Sequence, residues 1–405
     1  MTKLDDVVLL APGFLGFDHF GGFPYFSQGV AAALRVALDA EVERLGRRTT
    51  FEVQPLTTVP VGSLAQRQKS LAEQIGRLLH HLKAPDPLPR IHLVGHSTGG
   101  VDIELLVRTR PVGRERQWTE SEEKIRRAVR SVIAIAPPAA GTGIANSALV
   151  RDLATKAAPD LLDPRKWSGG LRDLAKGFEE GARLVRAVFA LGWANAELSQ
   201  LVAGGIDDLH PLLRFIHSVF FDRKLLDNLR PENTQKIVSD TGPVQPRTLI
   251  RRYLTIARVE PGNQPTGRLF ADLHKLTAEG LRGNQHARAV AAMLKARADA
   301  QIPVIRSMDK QQDPDFSEEA NDGVVNTALQ IPFGDDATLE AGLGQIGAIV
   351  VADHLDVVGG FPMKALTTEH DAAANGFLNS GSQFRGRQFS ELYRKIARDI
   401  AGAMT

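Results

Sequence analysis

Residues Gly95-His96-Ser97-Thr98-Gly99 follow a short apolar run, Ile91 to Val94, and lead into a second apolar segment, Ile103 to Val107. A strand, a sharp G-x-S-x-G turn and a helix make a nucleophile elbow, which projects the Ser97 hydroxyl into a cleft. Gly95 and Gly99 are needed there because larger side chains beside so tight a turn would strike the neighbouring backbone. The positive end of the following helix favours negative charge developing near Ser97. The competing reading is a chance glycine-serine turn, which the strand-turn-helix context disfavours. A serine hydroxyl is a weak nucleophile at neutral pH, so the chemistry also requires a histidine base and a carboxylate to orient that base.

In hydrolases with this strand order the acid and then the histidine follow the serine. Of eleven histidines, His19, His80, His81 and His92 precede Ser97. His96 lies inside the elbow, where its ring is expected to flank the nucleophile. His210, His217, His274 and His286 fall in a helical region, leaving His354 and His370. His354 directly follows the apolar run Gly347 to Ala352, whereas His370 sits in the polar stretch Thr367 to Asp371, so His354 is the expected base. For the acid, Asn321-Asp322-Gly323 is a turn tripeptide just after the strand-like segment Gln301 to Met308 and an intervening polar loop, so Asp322 occupies the expected place. Asp309, Asp313, Asp315, Glu318 and Glu319 compete in the same region, each also readable as part of a solvated acidic loop.

These side chains need a scaffold. Val7 to Ala11, closed by Pro12-Gly13, has the continuous apolar character of a strand buried on both faces. Phe26 to Leu45 has helical spacing, Thr49 to Val59 reads as a strand, Leu64 to Leu82 as a helix and Val132 to Ala136 as another strand. The alternation predicts an α/β fold with a doubly wound, mostly parallel sheet and a ligand site at the strands' carboxyl ends. Between Ala145 and Gln301 the strand signal gives way to helical segments, Gly181 to Leu191, Leu212 to Leu229 and Leu273 to Ala298. Gln301 to Met308 and Gly347 to Ala352 return to strand character, and Gln388 to Ala401 reads as a closing helix. The expected division is a core segment over 1–145 with the elbow, a helical cap or lid over 146–300, and a second core segment over 301–405 with the acid and histidine loops. The apolar stretch from Leu201 to Leu226 suits either a lid over the cleft or the core of a second helical layer.

The 405 residues are 43% hydrophobic and 24% charged, which excludes a disordered chain and a multispanning membrane protein. A net charge of +2 disfavours a general nucleic-acid or acidic-membrane binder. The absence of cysteine removes disulfides, thiolate metal sites and a cysteine nucleophile, and fits a reducing compartment. The first apolar run, about six residues, is too short for a signal-peptide core or a bilayer span, so the expected location is cytoplasmic. Gly13 to Gly22 lacks the G-x-G-x-x-G spacing of a dinucleotide loop.

Several separated motifs carry a resemblance. Leu9-Leu10-Ala11-Pro12-Gly13-Phe14-Leu15-Gly16-Phe17-Asp18, Gly21-Gly22-Phe23-Pro24-Tyr25-Phe26, Val94-Gly95-His96-Ser97-Thr98-Gly99-Gly100, Asn321-Asp322-Gly323-Val324-Val325 and Asp353-His354-Leu355-Asp356 follow one another in that order. Together they resemble the bacterial triacylglycerol lipases of the α/β-hydrolase fold, the true-lipase family typified by Pseudomonas and Burkholderia enzymes. Ala136 to Gly141 is a weaker echo, and the helical insertion matches nothing in that family. The resemblance implies hydrolysis of a small-molecule or lipid carboxylic ester through an acyl-serine intermediate. Ser97 would be the nucleophile, His354 the base, Asp322 the acid, and the backbone N–H groups of Phe14 and Thr98 the oxyanion donors. It implies no cofactor for the chemistry, but a structural Ca²⁺ held by Asp356, with Asp309 as a possible second ligand; Asp356 could instead merely brace the histidine loop. The family's histidine before the oxyanion-loop glycine is replaced here by Pro12, and the cysteine pair of its secreted members is missing. Elbow and triad do not choose the leaving group, so acyl transfer, thioester hydrolysis and amide hydrolysis stay open, as does a non-catalytic binding protein on the same scaffold.

Overall fold

The computed structural model describes residues 4–13, 19–20, 23–26, 29–59, 62–84, 87–113, 115–147, 224–260, 265–306, 314–334, 336–360 and 380–404. Seven parallel strands form its central sheet: β1 (Asp6–Ala11), β2 (Phe51–Pro55), β3 (Arg90–His96), β4 (Val129–Ile135), β5 (Leu249–Ile256), β6 (Val304–Ile305) and β7 (Ile346–Val351). Their spatial order is β2-β1-β3-β4-β5-β7-β6. The chain runs from β1 outward to β2 and returns past β1 to β3, so the carboxyl ends of β1 and β3 flank a topological switch point.

Side-chain alternation builds two layers. Val8 and Leu10 of β1 join Val94, Ile133, Ile135 and Val350 on the face covered by α1 (Val30–Arg44) and the final helix, Gly386–Ala403. Val7, Leu9 and Ala11 join Leu93 and Val132 on the other face, under α2 (Leu64–His81), α3 (Thr98–Leu106) and α4 (Glu120–Ala128). Leu254, Ile256, Ile349 and Val351 pack against the helix Gln285–Arg297 and the helix Asp336–Gly344. At the amino ends of the strands, buried Asp6 accepts from Arg90 at 2.7 and 2.8 Å and pairs with His92 at 3.0 Å, a polar anchor remote from Ser97.

The expected α/β class and parallel sheet hold, and three readings need correction. First, β5 lies inside the interval 146–300 that the sequence suggested was helical, and it occupies the middle of the sheet between β4 and β7. Arg251 and Arg252 interrupt its apolar run. Arg252 is nevertheless buried, because Glu104 of α3 accepts from it at 2.7 and 2.8 Å, which offsets the cost of taking both charges out of water. Second, Gln301 to Met308 contributes only the two-residue edge strand β6 among the described residues. Third, Leu273 to Ala298 is not one helix: Pro265–Glu279 ends before Gly280, and Gln285–Arg297 begins anew with an Asn284 cap on the Ala287 N–H. Helix Lys224–Asn228 is the described end of the expected helical segment Leu212 to Leu229, and its Leu225 is buried with Leu64, Val101 and Leu105. That end of the apolar stretch is therefore core; residues 148–223, including Gly181 to Leu191, lie outside the described residues. Among the described residues, no helix is long and apolar enough to cross a membrane.

The closing helix contributes heavily to the core, with Leu392, Ile396 and Ile400 wholly buried. Ile396→Ala is expected to destabilise the fold by about 2–5 kcal/mol through lost burial and a residual cavity. A denaturation midpoint lowered at unchanged slope would verify this, and an unchanged midpoint would refute the packing described.

Candidate active site

Ser97 sits between β3 and α3 with φ 55° and ψ −130°, a left-handed backbone that residues with a side chain rarely adopt. Its N–H donates to the Ile135 carbonyl at 2.9 Å, and its own carbonyl accepts the Gly100 N–H at 2.9 Å. A Cβ on Gly95 would come within 2.4 Å of the Gly99 carbonyl oxygen, and one on Gly99 within 2.3 Å of the Ala11 carbonyl oxygen. The two glycines are thus fixed by close backbone approach. Thr98 is the first residue of α3, so its N–H is among the helix's unpaired amino-terminal donors. Phe14, the other expected oxyanion donor, lies outside the described residues.

Asp322 and His354 come together. His354 Nδ1 lies 2.8 Å from Asp322 Oδ2, and the His354 N–H donates to the Asp322 carbonyl at 3.0 Å. The second carboxylate oxygen of Asp322 accepts the N–H groups of Val324 at 3.0 Å and Val325 at 2.8 Å. Thr255, near the end of β5, donates its hydroxyl to Asp322 Oδ2 as well. Gln330 and Thr327 hold Thr255 in turn, through its carbonyl at 3.0 and 2.9 Å. Asp322 is therefore fixed by β5, since the Ala257 N–H also binds the Asn321 carbonyl at 3.0 Å. Sequence position had tied it to the segment Gln301 to Met308. Of the competing carboxylates, Asp309 and Asp313 lie outside the described residues, and Glu318 is engaged at the surface by Arg288 at 2.6 Å. His370 also lies outside them.

His96 ends β3, immediately before Ser97. Its ring lies 4.6 Å from that of His354, and burial holds its pKa well below the ordinary histidine value. Its Nε2 is 2.8 Å from the His354 carbonyl oxygen, and its Nδ1 is 2.7 Å from the Tyr25 hydroxyl. The chain delivers Tyr25 through a two-residue antiparallel pairing of His19–Phe20 with Phe23–Pro24.

Sequence reasoning missed Arg67. Wholly buried in α2, it clasps Asp102 of α3 at 2.6 Å and donates to the Gly13 carbonyl at 3.3 Å, Thr98 Oγ1 at 3.3 Å, Thr58 Oγ1 at 3.1 Å and the Val59 carbonyl. It thereby joins the loop after β1 to the first turn of α3, and it supplies hold that Pro12 cannot. A signal was present: Arg67 falls on the apolar stripe Leu64, Leu71 and Ile75, where an unpaired charge would not be tolerated.

Asp356 is buried, not solvated. One of its oxygens accepts the Asp353 N–H at 3.1 Å, while Asp353 Oδ1 accepts the N–H groups of Leu355 and Asp356, each at 3.1 Å. Among the described residues no three acidic or histidine side chains converge on one point. Asp353 and Asp356 thus brace the His354 loop, and Asp309, the other expected calcium ligand, lies outside the described residues. Tyr393 adds support by donating to the Val357 carbonyl at 2.9 Å.

With a strained serine turn after β3, Asp322 held by β5, His354 after β7 and the strand order β2-β1-β3-β4-β5-β7, the architecture is decided. The fold is an α/β-hydrolase fold. No protein-family model and no curated protein matches the sequence. Among solved structures, lipase 1 from Pelosinus fermentans is similar at 15% identity and a TM-score of 0.47, over 98% of this chain and 99% of that one. The metagenomic carboxyl esterase MGS0156 follows at 14% identity and 0.38, over 98% and 76%. The mature lipase BlEst2 from Bacillus licheniformis stands at 12% and 0.36, over 88% and 87%.

Two expectations follow from this geometry. Gly99→Ala should destabilise the protein by about 1–3 kcal/mol or more, because a methyl group has no room against the Ala11 carbonyl; a thermal midpoint equal to wild type would contradict the elbow. Burial raises the Asp353 carboxyl to about 6, above its unfolded value, and raises Asp356 too. The folded state then holds more protons between roughly pH 4 and 6, so this pair's contribution to stability is present at low pH and falls as pH rises through that window. Asp353→Asn keeps the accepting oxygen and removes the charge. In a chelating buffer its stability relative to wild type should therefore improve from pH 4 to pH 7, and a constant difference would contradict the assignment.

Proposed function

We propose that the protein is a serine hydrolase that cleaves carboxylic esters through an acyl-serine intermediate. The reading rests above all on the 2.8 Å contact between His354 Nδ1 and Asp322 Oδ2, on a loop whose backbone touches the residue preceding Ser97. With Nδ1–H held by Asp322, the proton-accepting lone pair of the neutral ring is at Nε2.

In the proposed cycle the Ser97 hydroxyl attacks the ester carbonyl while His354 Nε2 takes its proton. Asp322, accepting from His354, Thr255 and two backbone amides, stabilises the imidazolium. The Thr98 N–H, and in this reading that of Phe14, hold the oxyanion; such donors are each worth on the order of 10²–10³ in rate. His354 then gives the proton to the leaving alkoxide, and water, activated by the same ring, releases the acid. Esters are favoured over amides by the sequence resemblance alone, and a substrate series defines the acyl chain and the alcohol portion.

The test is reaction with a serine-directed fluorophosphonate, mapped by mass spectrometry, beside a p-nitrophenyl ester chain-length series. Stoichiometric labelling at Ser97 is expected, with turnover abolished in folded Ser97→Ala and reduced by about 10⁴-fold or more in His354→Ala. Near-normal ester hydrolysis by Ser97→Ala would sink the proposal. A wild type that neither labels nor turns over would point instead to a binding protein on a hydrolase scaffold.

A further inference from the structure

We infer that Tyr25 and His96 are positioning residues, joined in a one-directional hydrogen-bond chain that fixes the main chain of His354 against the loop bearing Gly13. The functional part of this inference rests on the serine-hydrolase reading above.

The direction of the chain follows from what each atom can do. A carbonyl oxygen only accepts, so His96 Nε2, 2.8 Å from the His354 oxygen, must carry a proton. The ring is buried and kept neutral, so its Nδ1 is unprotonated and must accept. The Tyr25 hydroxyl, 2.7 Å away, therefore donates. Its oxygen keeps lone pairs for the backbone N–H of Gly13, which hydrogen-bonds to it. Every link has only one permitted polarity, from Gly13 N–H through Tyr25 and His96 to the His354 carbonyl.

Placement gives the chain its use. It spans 258 residues of sequence between His96 and His354 and 71 between Tyr25 and His96. It encloses Ser97: His96 precedes it in the chain, and a Cβ on Gly13 would lie 2.7 Å from Ser97 Cβ and 2.5 Å from the Tyr25 hydroxyl. The residue before Ser97, the loop bearing Gly13 and the backbone of His354 thus share one set of hydrogen bonds, and an error of about 1 Å in such a site costs on the order of 10²-fold in rate. A neutral His96 also places no charge beside the imidazolium that forms on His354. The network adds no group to the chemistry; it sets where the base stands.

The full-length protein tests this with Tyr25→Phe, His96→Leu, His96→Gln and the double variant Tyr25→Phe/His96→Leu. Tyr25→Phe and His96→Leu should each lower kcat about tenfold or more with KM within about twofold, because they misplace the base without touching bound substrate. The double variant should lose no more than the worse single one, since both break the same chain. His96→Gln, whose amide can still donate to the His354 carbonyl, should recover most of the loss. Unchanged kcat in Tyr25→Phe, or losses that multiply in the double variant, would overturn the proposal. If His96→Leu does not fold, Tyr25→Phe carries the kinetic test alone. A second arm needs no turnover: nitrogen NMR of the histidine rings at neutral pH should find His96 neutral and protonated at Nε2, with an Nδ1 resonance that moves in Tyr25→Phe. An Nδ1-protonated or charged ring would overturn the chain itself. An inactive wild type with the expected ring signals would instead count against the hydrolase reading and leave the chain standing.

Discussion

A serine at φ 55° and ψ −130° occupies a region of backbone space that costs roughly 1–3 kcal/mol, and it stays there only because its surroundings leave no other choice. The Ser97 amide is held by β4, Gly95 and Gly99 are pressed against backbone, and α3 begins one residue later. Arg67 and Asp102 then lock α3 to α2 and to the loop after β1 from beneath. The strain is local; the structure that sustains it is drawn from four separate segments of chain.

Those segments are joined by buried polar groups, and the choice has a physical logic. Hydrophobic packing would stabilise the same volume at least as well, since a buried ion pair gains little net energy over an apolar replacement. Packing is non-directional, however, whereas the Arg67 guanidinium can be satisfied only when Asp102, Gly13, Thr58, Val59 and Thr98 all stand in one arrangement. Asp322 is treated in the same way, with four donors around one carboxylate. Removing one partner of such a set leaves a charge or dipole stranded in the interior. The carboxyl edge of the sheet is thus specified more sharply than hydrophobic burial alone could manage.

What could be read in advance followed the range of the interaction responsible. The elbow was legible because its glycines and serine act on one another within five residues, and His354 because an apolar strand ends just before it. Asp322 was ambiguous among neighbouring carboxylates, since its selection depends on Thr255, 67 residues earlier, at the end of a strand the pattern concealed. That strand, β5, was hidden by Arg251 and Arg252, whose partners Asp399 and Glu104 are distant in sequence. Tyr25 and His96 gave no local sign of their pairing. Asp356 could be placed by its motif, but its burial and its bond to the Asp353 amide depend on a loop conformation that the motif alone does not define.

The strand order also bears on how the molecule is made. Strands β2, β1, β3 and β4 are contiguous in space and all come from the first third of the chain. A ribosome releases that third before β5, the acid loop or the histidine loop exists, and domains tend to acquire structure from the amino terminus as synthesis proceeds. The half-sheet can therefore assemble with Ser97 already in its turn, leaving the edge of β4 open for β5 to join. During that interval the open edge is a template for any other extended chain, and late closure by β5 and β7 is slow because its contacts are far apart in sequence. The connectivity that sets Ser97 between early and late parts of the sheet also leaves an unpaired strand edge exposed while the later strands are still being made.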